Sequence, residues 1–167
     1  MWNNIKKHFE DSPSKLKVAK LFVEMGIRID ERCGIYIGDI ELSATKIAEA
    51  ANVDRRIVKE TAKDILEIPE LRRLFLNLRP AGPLLKDVSK YLGYGIVEIR
   101  ADPKEVGVIA RVTNLISDKG ISIRQILAED AEIYPDPKLI IITEKPIPGE
   151  LLPILLKISS VSQVTIS

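Results

Sequence analysis

Four cations, Arg55, Arg56, Lys59 and Lys63, fall within VDRRIVKETAKDIL, residues 53–66. Val58, Ala62 and Ile65 recur there at helical spacing as an apolar face, which leaves the cations on the opposite side. Guanidinium and ammonium groups in such an array suit phosphate oxygens, and an arginine can also reach a base edge. The same array could be a solvated helix face, with Lys59 and Lys63 paired to Glu60, Asp64 or other neighbours. A second constellation is Val106-Gly107-Val108-Ile109. Gly107 lets a ligand approach the backbone, and the first N–H groups of a helix opening there, those of Val108 and Ile109, would receive a carboxylate at the positive end of the helix dipole. Gly107 could equally permit close helix–sheet packing, with Asp102-Pro103 before it as a tight turn.

Other chemistries are poorly supplied. One cysteine, Cys33, excludes an internal disulfide and a cysteine-based zinc site, and one histidine, His8, makes a nucleophile–histidine pair improbable. There is no GxxxxGK phosphate loop and no convergent acid–base set, so neither an enzyme nor a resident cofactor is expected. Glu129, Asp130, Glu132 and Asp136 lack the regular spacing of a calcium loop and read as a solvated acidic turn, with no metal. No apolar run has the length of a membrane span, and MWNNIKKHFE has no apolar block behind its cations to make a signal peptide. A soluble, cytoplasmic protein is the expectation.

The elements that must hold these residues can be read in order. Ser12-Pro13 opens a helix that Gly26 ends. Residues 27–42 alternate around Gly34 and Gly38 as one or two short strands, a small hairpin. Ser43 or Thr45 caps a helix that Asn52, tolerant of the left-handed conformation, closes; Asp54 caps the cationic helix. Together these form a helix-turn-helix. Pro69 ends it, a helix with Leu71, Leu74, Phe75 and Leu78 follows, and another carries Leu84, Leu85, Val88 and Leu92 up to Gly93. Tyr91 and Tyr94, which bracket Gly93, read as packing residues.

After Gly93 the rhythm becomes strand 95–101, helix 106–118, strand 121–128, strand 139–144, a helix from Pro148-Gly149, and strand 162–167. That order predicts a ferredoxin-like βαββαβ sandwich. The predicted fold class is therefore α+β, with residues 1–93 as a helical domain plus linker helices and 94–167 as the sandwich. Charge divides with it: residues 1–93 carry 17 Lys+Arg against 14 Asp+Glu, and 94–167 carry 8 against 10.

The second half resembles an ACT domain, the small-molecule sensor of amino-acid metabolism, through Asp102-Pro103, Val106-Gly107-Val108-Ile109 and Gly120-Ile121-Ser122-Ile123. The whole chain resembles a small archaeal family described as predicted regulators of amino-acid metabolism, with an N-terminal helix-turn-helix and a C-terminal ACT domain. Residues 53–66, 121–126 (ISIRQI) and 141–152 (IITEKPIPGELL) carry that likeness. The resemblance implies an amino-acid effector whose ammonium group would sit on Asp102 or Glu105. It also implies a homodimer or higher oligomer in which the second strand of a neighbouring subunit brings Ser122 and Gln125 to the loop. Where amino-acid-binding ACT domains often have proline before the loop glycine, this chain has Val106. The function expected is a ligand-responsive transcriptional regulator that binds DNA. The alternative is a regulatory subunit of an amino-acid biosynthetic enzyme, its helical half serving as a docking surface.

Overall fold

In the computed structural model, which describes residues 1–167, helix α1 (Trp2–His8) buries Trp2 and Ile5, then α2 (Pro13–Met25) starts at proline. Proline is favoured there because its missing N–H would be unpaired at a helix start anyway. Gly26 ends α2 at φ 65°, and a Cβ at that position would lie 2.4 Å from the Pro80 nitrogen, so both conformation and space require glycine. Residues 27–42 form a three-stranded antiparallel sheet rather than one hairpin: β1 (Ile27–Ile29), β2 (Ile35–Ile37) and β3 (Ile40–Glu41). The alternation missed the third strand because only two residues pair, Ile40 with Ile37 and Glu41 with Tyr36.

Helices α3 (Ala44–Ala51), α4 (Arg55–Glu67) and α5 (Pro69–Asn77) follow. Ser43 Oγ accepts from the Lys46 N–H at 3.3 Å, so serine caps α3 although no acid stands three residues on. Helix α4 packs against α2, α3 and α5, and Val58, Ala62 and Ile65 are fully buried. Phe22 of α2 and Phe75 of α5 meet edge to face at 6.1 Å in this core.

The chain is α+β, with eight helices and two antiparallel sheets. It divides into two compact units, Met1–Gly82 and Pro83–Ser167. The division comes before the boundary expected at residue 93 because the segment from Pro83 is tied to the second unit. The Gln125 amide donates to Pro83 O at 2.7 Å and its Oε1 accepts from the Leu85 N–H at 2.9 Å. Lys86 lies 2.8 Å from Glu98. The Gln125 bonds pair two backbone groups of the segment, and the Lys86–Glu98 ion pair holds a side chain. The expected helix over Leu84–Leu92 is a 3₁₀ turn (Lys86–Val88) and one turn of α6 (Ser89–Leu92), with Leu84, Val88 and Leu92 exposed. Tyr91 is 77% exposed, which corrects its reading as a packing residue.

The second unit runs β4 (Gly95–Ala101), α7 (Val108–Ser117), β5 (Ile123–Ala128), β6 (Leu139–Thr143), α8 (Leu151–Leu155) and β7 (Val161–Ile166). The strand order β5-β6-β4-β7 places β6 between β4 and β5, so the β4–α7–β5 crossover is split by an antiparallel strand. Val97, Ile99, Leu139 and Ile141 form one core with Val108, Val112 and Ile116 of α7 and with Leu151 and Leu155 of α8. All of β6 is buried, as its continuous LIIIT run implies.

Candidate functional site

The cationic helix is built from its ends inward. Asn52 takes φ 52° at the end of α3, and the Asp54 carboxylate accepts from the Arg56 N–H at 2.7 Å to cap α4. With Val58, Ala62 and Ile65 held in the core, Arg55, Arg56, Lys59 and Lys63 are all left exposed. Arg55, Arg56 and Lys59 have no ion-pair or side-chain hydrogen-bond partner, while Lys63 lies 3.8 Å from Glu67, a pair too exposed to hold it. Two acids of the helix, Glu60 and Asp64, turn to another helix. Lys15 of α2 places its ammonium 2.7 Å from Asp64 Oδ2 and 3.5 Å from Glu60 Oε2. The hydrogen bond to Asp64 is the main reason the Lys15 pKa is raised. Lys59 and Lys63 are therefore not paired with Glu60 and Asp64. Sequence reasoning missed Lys15, which stands 49 residues from Asp64 and carries no local signal.

The helix start in the second unit differs from the expectation by two residues. Helix α7 begins at Val108, not Val106, because Gly107 at φ 85° breaks the helical path. Val106 is 88% exposed. No atom lies within 4 Å of a Cβ built on Gly107, so backbone conformation demands glycine there, and close packing does not. The N–H groups of Val108 and Ile109 are first-turn donors without a side-chain cap. Val108 itself is buried and Ile109 is 44% exposed.

Asp102, Glu105 and Ile109 come together at one cleft of about 150 Å³, whose lining also includes Ile99, Glu129 and Lys138. Asp102 forms the tight turn: Oδ1 accepts from the Lys104 N–H at 2.9 Å, and the Glu105 N–H donates to Asp102 O at 3.0 Å. Glu105 meets the Arg111 guanidinium at 3.2 Å, and the same nitrogen donates to Val106 O at 3.3 Å. Arg111 thus belongs to the loop, and sequence reading left it out. The acidic segment serves its own turn: the Glu129 N–H donates to Lys138 O and the Glu129 carboxylate accepts from the Lys138 N–H, Asp130 caps the Glu132 N–H, and Asp136 pairs with Arg100 at 2.7 Å.

Ser122 and Gln125 do not join this cleft within one chain. Gln125 pairs with Ile142, and Ile142 with Ile96 near the start of β4, whereas the 102–107 loop leaves the other end of that strand. Ser122 is exposed, its N–H donating to Glu144 Oε1 at 3.2 Å. Both polar ends of Gln125 are engaged by Pro83 and Leu85.

No helix is long and apolar enough to cross a membrane. No protein-family model and no curated protein sequence matches the chain. Among solved structures it is similar to one designated PH0061, at 14% identity over 93% of this chain and 89% of that chain, with a TM-score of 0.26. It is also similar to a transcriptional regulatory protein from Pyrococcus furiosus described as a member of the ASNC family, at 12% identity over 93% of this chain and 87% of that chain, again with a TM-score of 0.26.

Proposed function

We propose that this protein is a non-enzymatic, cytoplasmic transcriptional regulator of amino-acid metabolism that binds DNA through α4 as the second helix of a helix-turn-helix. The observation that carries the reading is the outer face of α4. Arg55, Arg56 and Lys59 are exposed without partners, on a helix whose opposite face is locked in a core and whose Glu60 and Asp64 are met by Lys15. Cations without intramolecular partners lose nothing internal when they meet phosphate, and release of counterions from the DNA drives the association. The second unit is an ACT-type sensor in this reading. An amino acid would place its carboxylate on the Val108 and Ile109 N–H groups and its ammonium near Asp102 or Glu105. Its side chain would lie along Ile99 and Ile109. Ser122 would come from a second copy, making a dimer or higher oligomer the working form, and the effector acts by its differential affinity for two arrangements of that assembly.

The test is retention of fragmented DNA from the source genome at two salt concentrations, with and without an amino-acid mixture. Selected fragments should bind with steep salt dependence, and Arg55→Ala/Arg56→Ala should weaken binding by at least about tenfold, the loss of two phosphate or base contacts. A shift on adding amino acids supports the sensor. No retention at low salt refutes the DNA reading.

A further inference from the structure

We propose that Lys15 is a positioning residue for DNA binding, which offsets one of the two negative charges of Glu60 and Asp64 and so tunes the strength with which the outer face of α4 attracts phosphate. The inference rests on the DNA-binding reading above and goes beyond it, since Lys15 lies on another helix and touches no DNA in it.

The geometry is specific. Glu60 and Asp64 are four residues apart on α4, one above the other, and each directly follows a cation, Lys59 or Lys63. A step of one residue turns about 100° around a helix, so both carboxylates flank the cationic face on the side where α2 packs. Lys15 reaches both from α2, at 2.7 and 3.5 Å, with its side chain only 21% exposed. On α4 itself four cations, Arg55, Arg56, Lys59 and Lys63, stand against three carboxylates, Glu60, Asp64 and Glu67. Lys15 raises that excess from one charge to two. It therefore adds one positive charge beside the face without occupying any of the outward positions. The hydrogen bond to Asp64 raises the pKa of an ammonium that is already charged at neutral pH.

A helix-to-helix ion pair could also serve only to hold α2 against α4, so the experiment must separate charge from scaffolding. Binding of the full chain to a fluorescein-labelled duplex of random sequence, at low salt, does this. Lys15→Gln should weaken binding about twofold, the effect of one positive charge lost roughly 10 Å from a phosphate in a largely aqueous medium. Lys15→Gln/Glu60→Gln/Asp64→Asn should restore wild-type affinity or better, although it contains no ion pair. Glu60→Gln/Asp64→Asn with Lys15 intact should bind more tightly than wild type, and it keeps the test open should Lys15→Gln fold poorly. Unchanged binding of Lys15→Gln, or a triple variant as weak as the single one, would overturn the proposal and leave Lys15 a scaffold contact. If the wild-type chain itself has no affinity for the duplex, the DNA reading fails and this inference with it. If wild type binds and Arg55→Ala/Arg56→Ala does not, a failure belongs to Lys15 alone.

Discussion

Gln125→Ala tests what ties residues 83–93 to the second unit. The amide of Gln125 bridges forty-odd residues of sequence, accepting from the Leu85 N–H at 2.9 Å and donating to Pro83 O at 2.7 Å. A neutral hydrogen bond contributes a net of about 0.5 to 1.5 kcal/mol, so the pair sets a ceiling of about 3 kcal/mol. Pro83 is exposed and Leu85 half-buried, so water can take over part of what the truncation frees, and about 1 to 2 kcal/mol is the expected loss. Because 1.36 kcal/mol is a factor of ten, local opening at Leu85 should become about 5 to 30 times more frequent. Native-state hydrogen exchange of the full chain reads this directly. The Leu85 amide should exchange faster by that factor, while Ile141 in the fully buried strand β6 shifts only with global stability. An unchanged Leu85 rate in Gln125→Ala would show that the segment is held by something else, and the division of the chain at Gly82 would lose its explanation. The same bonds mean that an effector could recruit the Gln125 amide only by displacing the Pro83–Leu85 segment.

Two further outcomes follow from local chemistry. The Glu98 carboxyl is held below its ordinary value, chiefly by the hydrogen bond from Lys86, so its contribution is full above the unfolded-state value of about 4.5 and fades as pH falls through the lower folded value. Glu98→Gln should cost under about 1 kcal/mol at neutral pH and flatten the acid limb of the stability–pH curve below that point, as followed by urea denaturation; an acid limb identical to wild type would exclude Glu98 as a contributor. Asn52→Ala should lower stability by about 1 kcal/mol, the cost of φ 52° for a residue whose side chain gives that conformation no help, while Asn52→Gly should be neutral or slightly stabilising. Equal midpoints for the two variants in chemical denaturation would contradict that account.

Much of the architecture is legible in the chain because the relevant forces act between near neighbours. Pro13 at a helix start, Asp54 as a cap, and Asn52, Gly26 and Gly93 at left-handed ends follow from backbone sterics and orphan N–H groups a few residues away. The alternation of GIVEIRA and the unbroken LIIIT likewise announce a strand with alternating burial and one buried throughout. Local pattern also placed Arg55, Arg56, Lys59 and Lys63 on the side of α4 away from the core. It did not reveal which of them are free, because that depends on where Glu60 and Asp64 find a cation. The answer, Lys15, is a residue of another helix. The α7 loop shows the same limit: Gly107 was visible as special, but Arg111 countering Glu105 was not. The apolar spacing of Leu84, Leu85, Val88 and Leu92 suggests one helix, but Gln125, on a strand forty residues on, takes up the Pro83 carbonyl and the Leu85 N–H instead. Helix ends and strand faces are set by the residues beside them. Charge pairing and the fate of a segment between two units are set by residues that only the tertiary fold brings within a few ångströms.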